Sequence, residues 1–245
     1  MILAIHQPTY LPYLGFIEKM SHVEAYAILD TVQFIRGGDA YHNRNLIKTT
    51  DGPIWLTVPV RHKHRQYQQI CKVGIENSTK WYVKHWRSIF YAYEKAPFFN
   101  SYMDFFEDLY SKKWDNLASL NEYIIRYLLK EFKINTEIVR VSELDIDGKS
   151  TDLLINVCKK LGADAYLSGI NGMKYLEISK IKDADIRLLL HDFKHPIYTQ
   201  QYQHLEFIPN LSCIDMLFNC GENSMKILRE ANPIDQMFKE VDLQI

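Results

Sequence analysis

The first thirty residues constrain this chain more than any other stretch. Met1 to Ile5 is an apolar run that ends on His6-Gln7-Pro8. A loop with two prolines and two tyrosines follows, and Gly15 opens a helix predicted over Phe16 to His22. A second apolar run, Ala25 to Leu29, ends on Asp30. Strand, polar loop, helix and strand in that order open a parallel α/β unit. Ligands of such sheets sit outside the carboxyl ends of the strands, which is where His6, Gln7 and Asp30 fall.

The same alternation returns in the second half. Thr136 to Val141 reads as a strand and Ser150 to Leu161 as a helix stopped by Gly162. Ala165 to Ser168 is a short buried strand running into Gly169-Ile170-Asn171-Gly172, with a helix expected over Met173 to Lys180 and a strand over Arg187 to His191. The predicted fold is α/β: a Rossmann-like, mainly parallel sheet flanked by helices, in a single domain over residues 1–245. Between the halves, Thr31 to Thr50 reads as an irregular polar binding loop. Ile54 to Val60 is a strand expected to pair with Gln69 to Ile75 as a small β-hairpin. Lys80 to Glu94, Phe98 to Ser111 and Asn116 to Lys130 are amphipathic helices, giving a helical, aromatic insertion over about residues 76–131. Near the end, Asn210 or Ser212 caps a helix to Asn219, and Glu222 to Glu230 forms a last one.

Hydrophobic residues make up 47% and charged residues 24%, as in ordinary globular chains. A net charge of −1 argues against a broad electrostatic nucleic-acid surface. No stretch has the shape of a signal peptide or the length of a membrane span, so the expected compartment is the cytoplasm. Cys71, Cys158, Cys213 and Cys220 are dispersed without a CxxC motif, and reduced thiols are expected.

The candidate chemistry is polar and scattered. No GxxxxGK[ST] loop or GxGxxG fingerprint follows the first strand. HQPTYLPYLG invites comparison with the HxGH loops of nucleotidylyltransferases, but Ile17 stands where the second histidine belongs. His6 either meets a ligand or braces its own turn. Asp30 and Gln33 follow the second strand, as ligand groups or as turn residues. Arg44, Asn45 and Lys48 either grip a phosphate or carboxylate or belong to a solvated loop. The basic run Arg61-His62-Lys63-His64-Arg65 offers a phosphate contact or a solvated loop, and no familiar ligand spacing makes its histidines a metal site. Ser168-Gly169-x-x-Gly172 reads as an anion-receiving turn or as a plain small-residue turn, and is not a GxSxG nucleophile elbow. His195, Tyr198, Gln200 and Asp215 form a late polar cluster in which a carboxylate could orient a histidine base.

Taken together, HQPTYLPYLGFIEK, D-x-V-Q-F at Asp30 to Phe34, N-R-N-x-I-K at Asn43 to Lys48 and W-L-T-V-P-V at Trp55 to Val60 resemble the WbqC-like family. So do LSGIN, HPIYTQ and LSCIDMLFNCG further on, and the resemblance spans nearly the whole chain. Residues matching its motifs are His6, Gln7, Tyr10, Gly15, Lys19, Asp30, Gln33, Arg44, Asn45, Ser168, Gly169, His195, Tyr198, Gln200 and Asp215. The resemblance implies a bacterial protein of polysaccharide (O-antigen) or nucleotide-sugar tailoring: a transferase moving an acyl or aminoacyl group, for example glycyl, onto a sugar. Its partners would be a nucleotide-linked sugar and an acyl donor; it specifies no cofactor. On that reading His6 or His195, with Asp215, supplies a base whose pKa is expected near working pH. Arg44, Lys48 and Arg61 hold phosphate, and Tyr10 and Tyr198 shape the sugar pocket. Two alternatives stay open: a nucleotidylyltransferase-like or ATP-dependent ligase-type enzyme, and a non-catalytic nucleotide-sugar-binding pathway protein.

Overall fold

A computed structural model describes residues 1–37, 40–61, 67–233 and, for the backbone, 238–240. His62, Lys63, His64 and Arg65 of the basic run lie outside these residues. The main sheet holds β1 (Ile2–His6), β2 (Ala25–Ile28), β5 (Glu137–Arg140), β6 (Ala165–Gly169), β7 (Arg187–His191) and β8 (Phe238–Glu240). Its order is β5-β2-β1-β6-β7-β8. The first five strands run parallel, and β8 pairs antiparallel with β7.

Near-continuous apolar strands arise because both faces of the sheet are covered. Side chains alternate between two cores with the strand period of two. Leu3 and Ile5, Ala25 and Ala27, Tyr166, and Leu188 and Leu190 point to one face. Ala4, Tyr26 and Ile28, Ala165 and Leu167, and Leu189 point to the other. The first face is covered by α5 (Ser150–Leu161) and α6 (Ile178–Asp183). The second is covered by α1 (Leu14–Met20), α7 (Cys213–Cys220), α8 (Ser224–Ala231) and the insertion helices α2 (Trp81–Tyr93), α3 (Phe99–Ser111) and α4 (Leu117–Glu131). Asn116 caps α4 by accepting from Ser119 N–H at 3.0 Å, and Ser212 caps α7 by accepting from Ile214 N–H at 3.4 Å.

The small hairpin differs from the one predicted. It pairs β3 (Arg44–Thr49) with β4 (Gly52–Thr57), so the last part of the expected binding loop is a strand. The tight turn uses Gly52, whose φ of +118° suits glycine. Gln69 to Ile75 does not form its partner strand: residues Ile70–Lys72 make one 3₁₀ turn, and Val60 and Ile75 share only an isolated bridge. The helix expected from Met173 also breaks up. Gly172 C=O accepts from both Tyr175 and Leu176 N–H, closing a 3₁₀ turn (Ile170–Lys174), and α6 begins only at Ile178. Among the described residues no helix is long and apolar enough to cross a membrane.

Candidate functional site

From β1 the chain moves to one side of the sheet, through β2 to β5; it then returns on the other side as β6 and β7. The carboxyl ends of β1 and β6 therefore flank a topological switch point, the usual ligand crevice of an open α/β sheet. His6 ends β1, and Ser168 and Gly169 end β6. Two cavities of about 690 and 320 Å³ open there. His6, Tyr13 and Asn171 line both, so they are adjoining lobes of one cleft region. Gln7, Thr9, Arg36, Tyr41 and His42 complete much of the larger lobe. Lys19, Ser168, Gly169, Gly172, Tyr175 and Asp192 help to line the smaller one. Gly172 lets the turn pack close to β6: a Cβ here would lie 2.1 Å from Ser168 Oγ and force that hydroxyl to move.

His6 sits at the junction of the lobes. Its Nδ1–H donates to the Gln7 carbonyl at 2.7 Å, and a carbonyl can only accept. Nε2 is then the unprotonated nitrogen, and among the described residues nothing bonds to it. Burial, with the nearby Lys19 ammonium second, pushes the His6 pKa down to about 3. This corrects the expectation of a pKa near working pH: the imidazole is a neutral acceptor at the cleft. Phe16 meets the ring edge-to-face at 5.5 Å and fixes its plane. Gln7 is held by His42, whose Nε2–H donates to Gln7 Oε1 at 2.8 Å. Burial lowers the His42 pKa to about 4.

Lys19 is 5% exposed. Among the described residues its ammonium has neither a hydrogen bond nor an ion pair, and burial lowers its pKa to about 8. The adjacent carboxylate does not serve it. Glu18 is buried between His22 and His191, which both bond to it. Burial works to raise the Glu18 pKa, but the His191 and His22 contacts outweigh it and hold the carboxyl below its ordinary value.

Several other residues singled out in the sequence lie elsewhere. The fully buried Asp30 accepts from Ser142 N–H at 3.0 Å and Ser142 Oγ–H at 2.7 Å, tying β2 to the turn after β5. Gln33 bridges to Gln69. Tyr10 is buried, with its hydroxyl bonded to His85 Nδ1 at 2.8 Å and to Tyr110. Asn45 donates to the Leu11 carbonyl, and Arg44 lies 4.2 Å over the Trp55 ring. Lys48 Nζ donates to Gln200 Oε1 at 3.1 Å and to the Glu206 carbonyl at 3.3 Å. Asp215 is fully buried and accepts from Tyr93 at 2.9 Å and Tyr198 at 2.7 Å. Burial raises its pKa against the pull of Tyr198, Tyr93 and Lys48. Lys48, Tyr93, Tyr198, Gln200 and Asp215 thus form a second polar cluster that pins the hairpin to the C-terminal segment. His195 joins neither His6 nor Asp215 by a hydrogen bond. Its Nδ1–H donates to the Pro196 carbonyl at 2.8 Å, and its Nε2 accepts from Asn210 N–H at 3.1 Å.

Tyr13, Tyr41, His42 and Asn171 line the cleft but were not singled out as site residues. His42 carried a partial signal, standing in a polar string within the expected binding loop. Tyr13 and Asn171 stand in the segments that follow β1 and β6, and Tyr41 is brought in beside His42.

The fold and cleft define a doubly wound α/β protein with a ligand-sized crevice at its switch point. The chain belongs to the WbqC-like protein family, whose model matches residues 7–227. It is 29% identical over 228 residues to the uncharacterized protein Rv1507c of Mycobacterium tuberculosis, covering 92% of this chain and 96% of that relative. No solved structure matches the chain.

Proposed function

We propose that the protein is a cytoplasmic transferase of bacterial polysaccharide tailoring. It takes a nucleotide-linked sugar in the switch-point cleft and moves an acyl or aminoacyl group onto it. One observation carries this reading: the unpartnered Nε2 of His6 faces the junction of the two lobes. A sugar amine or hydroxyl bound there attacks the acyl carbon of a thioester donor and loses its proton to Nε2; the C–S bond then breaks, and the imidazolium returns that proton to the departing thiolate. The Tyr13 and Tyr41 rings, 6.2 Å apart, offer apolar faces to a sugar or base in the larger lobe. All four cysteines are free, and burial raises each thiol, Cys158 to about 12 and Cys220 to about 11. Raised thiols are poor nucleophiles, which favours direct transfer over an acyl-enzyme.

His6→Gln keeps the size of the side chain and removes the base. With nucleotide-linked amino sugars and acyl-thioester or glycyl donors, followed by mass spectrometry, the expected loss of kcat is about 10²- to 10⁴-fold in a folded variant. Unchanged turnover removes His6 from the mechanism. A second reading, nucleotidylyl transfer, draws on the strand order β5-β2-β1-β6-β7 and on the loop after β1. Consumption of ATP with a Mg²⁺ requirement selects it over acyl transfer.

A further inference from the structure

The structure assigns the smaller lobe of the cleft a phosphoryl group as ligand, held by the Lys19 ammonium. This deepens the proposed function, and rests on it only in taking the phosphoryl group to belong to a nucleotide-linked sugar. A buried ammonium without a counter-ion is costly, and native folds retain one where a partner of opposite charge completes it. The other buried lysine, Lys48, has two oxygen acceptors. Lys19 has none among the described residues, although it is 5% exposed and lines a cavity of about 320 Å³.

The neighbouring acids do not cancel its charge. Glu18 is committed to His22 and His191. Asp192, which also lines the lobe, has a partner of its own. Around Lys19 the lobe offers the neutral Asn171 amide and Tyr175 phenol, while the Ser168 hydroxyl already donates to the Gly169 carbonyl at 3.1 Å. Such a set suits an oxyanion that brings the negative charge itself. The larger lobe adjoins it at His6, Tyr13 and Asn171, a place for the remainder of a phosphorylated molecule. Two of the basic residues expected to grip phosphate are engaged elsewhere: Arg44 stacks on Trp55, and Lys48 bonds within the second cluster. A phosphoryl anion beside Lys19 also offsets the charge that helps to depress His6, making Nε2 a better base once the ligand is bound.

Binding without turnover separates this assignment from the transfer reaction. Inorganic pyrophosphate, UDP and acetate are titrated calorimetrically into wild-type, Lys19→Met and Lys19→Gln chains at one ionic strength. Pyrophosphate and UDP are expected to compete for wild type, and both variants to lose about tenfold to a hundredfold in affinity for them while remaining folded. UDP binding more tightly than pyrophosphate identifies a nucleotide as the source; equal binding identifies another phosphorylated molecule. Either result sustains the phosphoryl site. Wild-type affinity in a folded variant overturns it, as does pyrophosphate binding no tighter than acetate. Should neither variant fold, acylation of the wild-type lysines decides. Pyrophosphate shields Lys19 but not exposed Lys80 if the assignment holds, and shields neither if it does not. Loss of acyl transfer with pyrophosphate binding intact counts against the proposed reaction alone.

Discussion

Two histidines that look alike in the sequence have opposite surroundings. His6 uses one ring nitrogen on its own loop and leaves the other facing the cleft. His195 spends both on backbone groups, bracing the segment from Pro196 to Asn210. His195→Gln should therefore lower stability by about 1 kcal/mol in a denaturant titration, since the buried Pro196 carbonyl loses its donor while the exposed Asn210 N–H turns to water. It should leave kcat unchanged; a fall of about 10²-fold in a folded variant contradicts the bracing role. Position at a strand end made His6 legible in advance. The bonding of His195 was not, because its partner at Asn210 is supplied by the chain folding back on itself.

At the scale of elements, the β-α-β openings on both sides of the switch point were readable because a buried parallel sheet needs apolar strands. The hairpin was not, and the reason is local. Two of the buried positions of β3 are Asn45 and Lys48, polar residues satisfied by distant oxygens on Leu11, Gln200 and Glu206. A strand with polar residues turned inward reads as a loop. Two changes test how elements shape the cleft. Gly172→Ala places a Cβ against Ser168 Oγ, 2.1 Å away, and should destabilise by about 1–3 kcal/mol while weakening binding in the smaller lobe. Ser212→Ala removes the cap of α7 and should lower stability by about 1 kcal/mol without changing ligand affinity. Equal effects of the two on affinity would remove the distinction between cleft and scaffold.

For the whole molecule, the buried histidines set the response to acid. His6, His42 and His85 are lowered from 6.5 to about 3, 4 and 4, in each case chiefly by burial. Unfolded, they take up protons that the native state refuses. Their contribution is complete above the unfolded value of 6.5 and is lost as pH falls toward the native values. Glu18, held below its ordinary value, acts in the same direction, while the raised carboxyl of Asp215 softens the slope. Urea midpoints should thus fall steadily from about pH 6.5 to pH 4; a flat profile contradicts neutral burial of these rings. The proposed ligand sits between β1 and β6 and meets both His6 Nε2 and Lys19. A crystal structure of the chain soaked with a UDP-linked amino sugar tests this most directly. The expected result is the phosphoryl groups beside Lys19 and a sugar amine or hydroxyl within about 2.6–3.2 Å of His6 Nε2. A sugar nucleotide seated at the Lys48–Asp215 cluster or outside the cleft, with His6 Nε2 untouched, would contradict it.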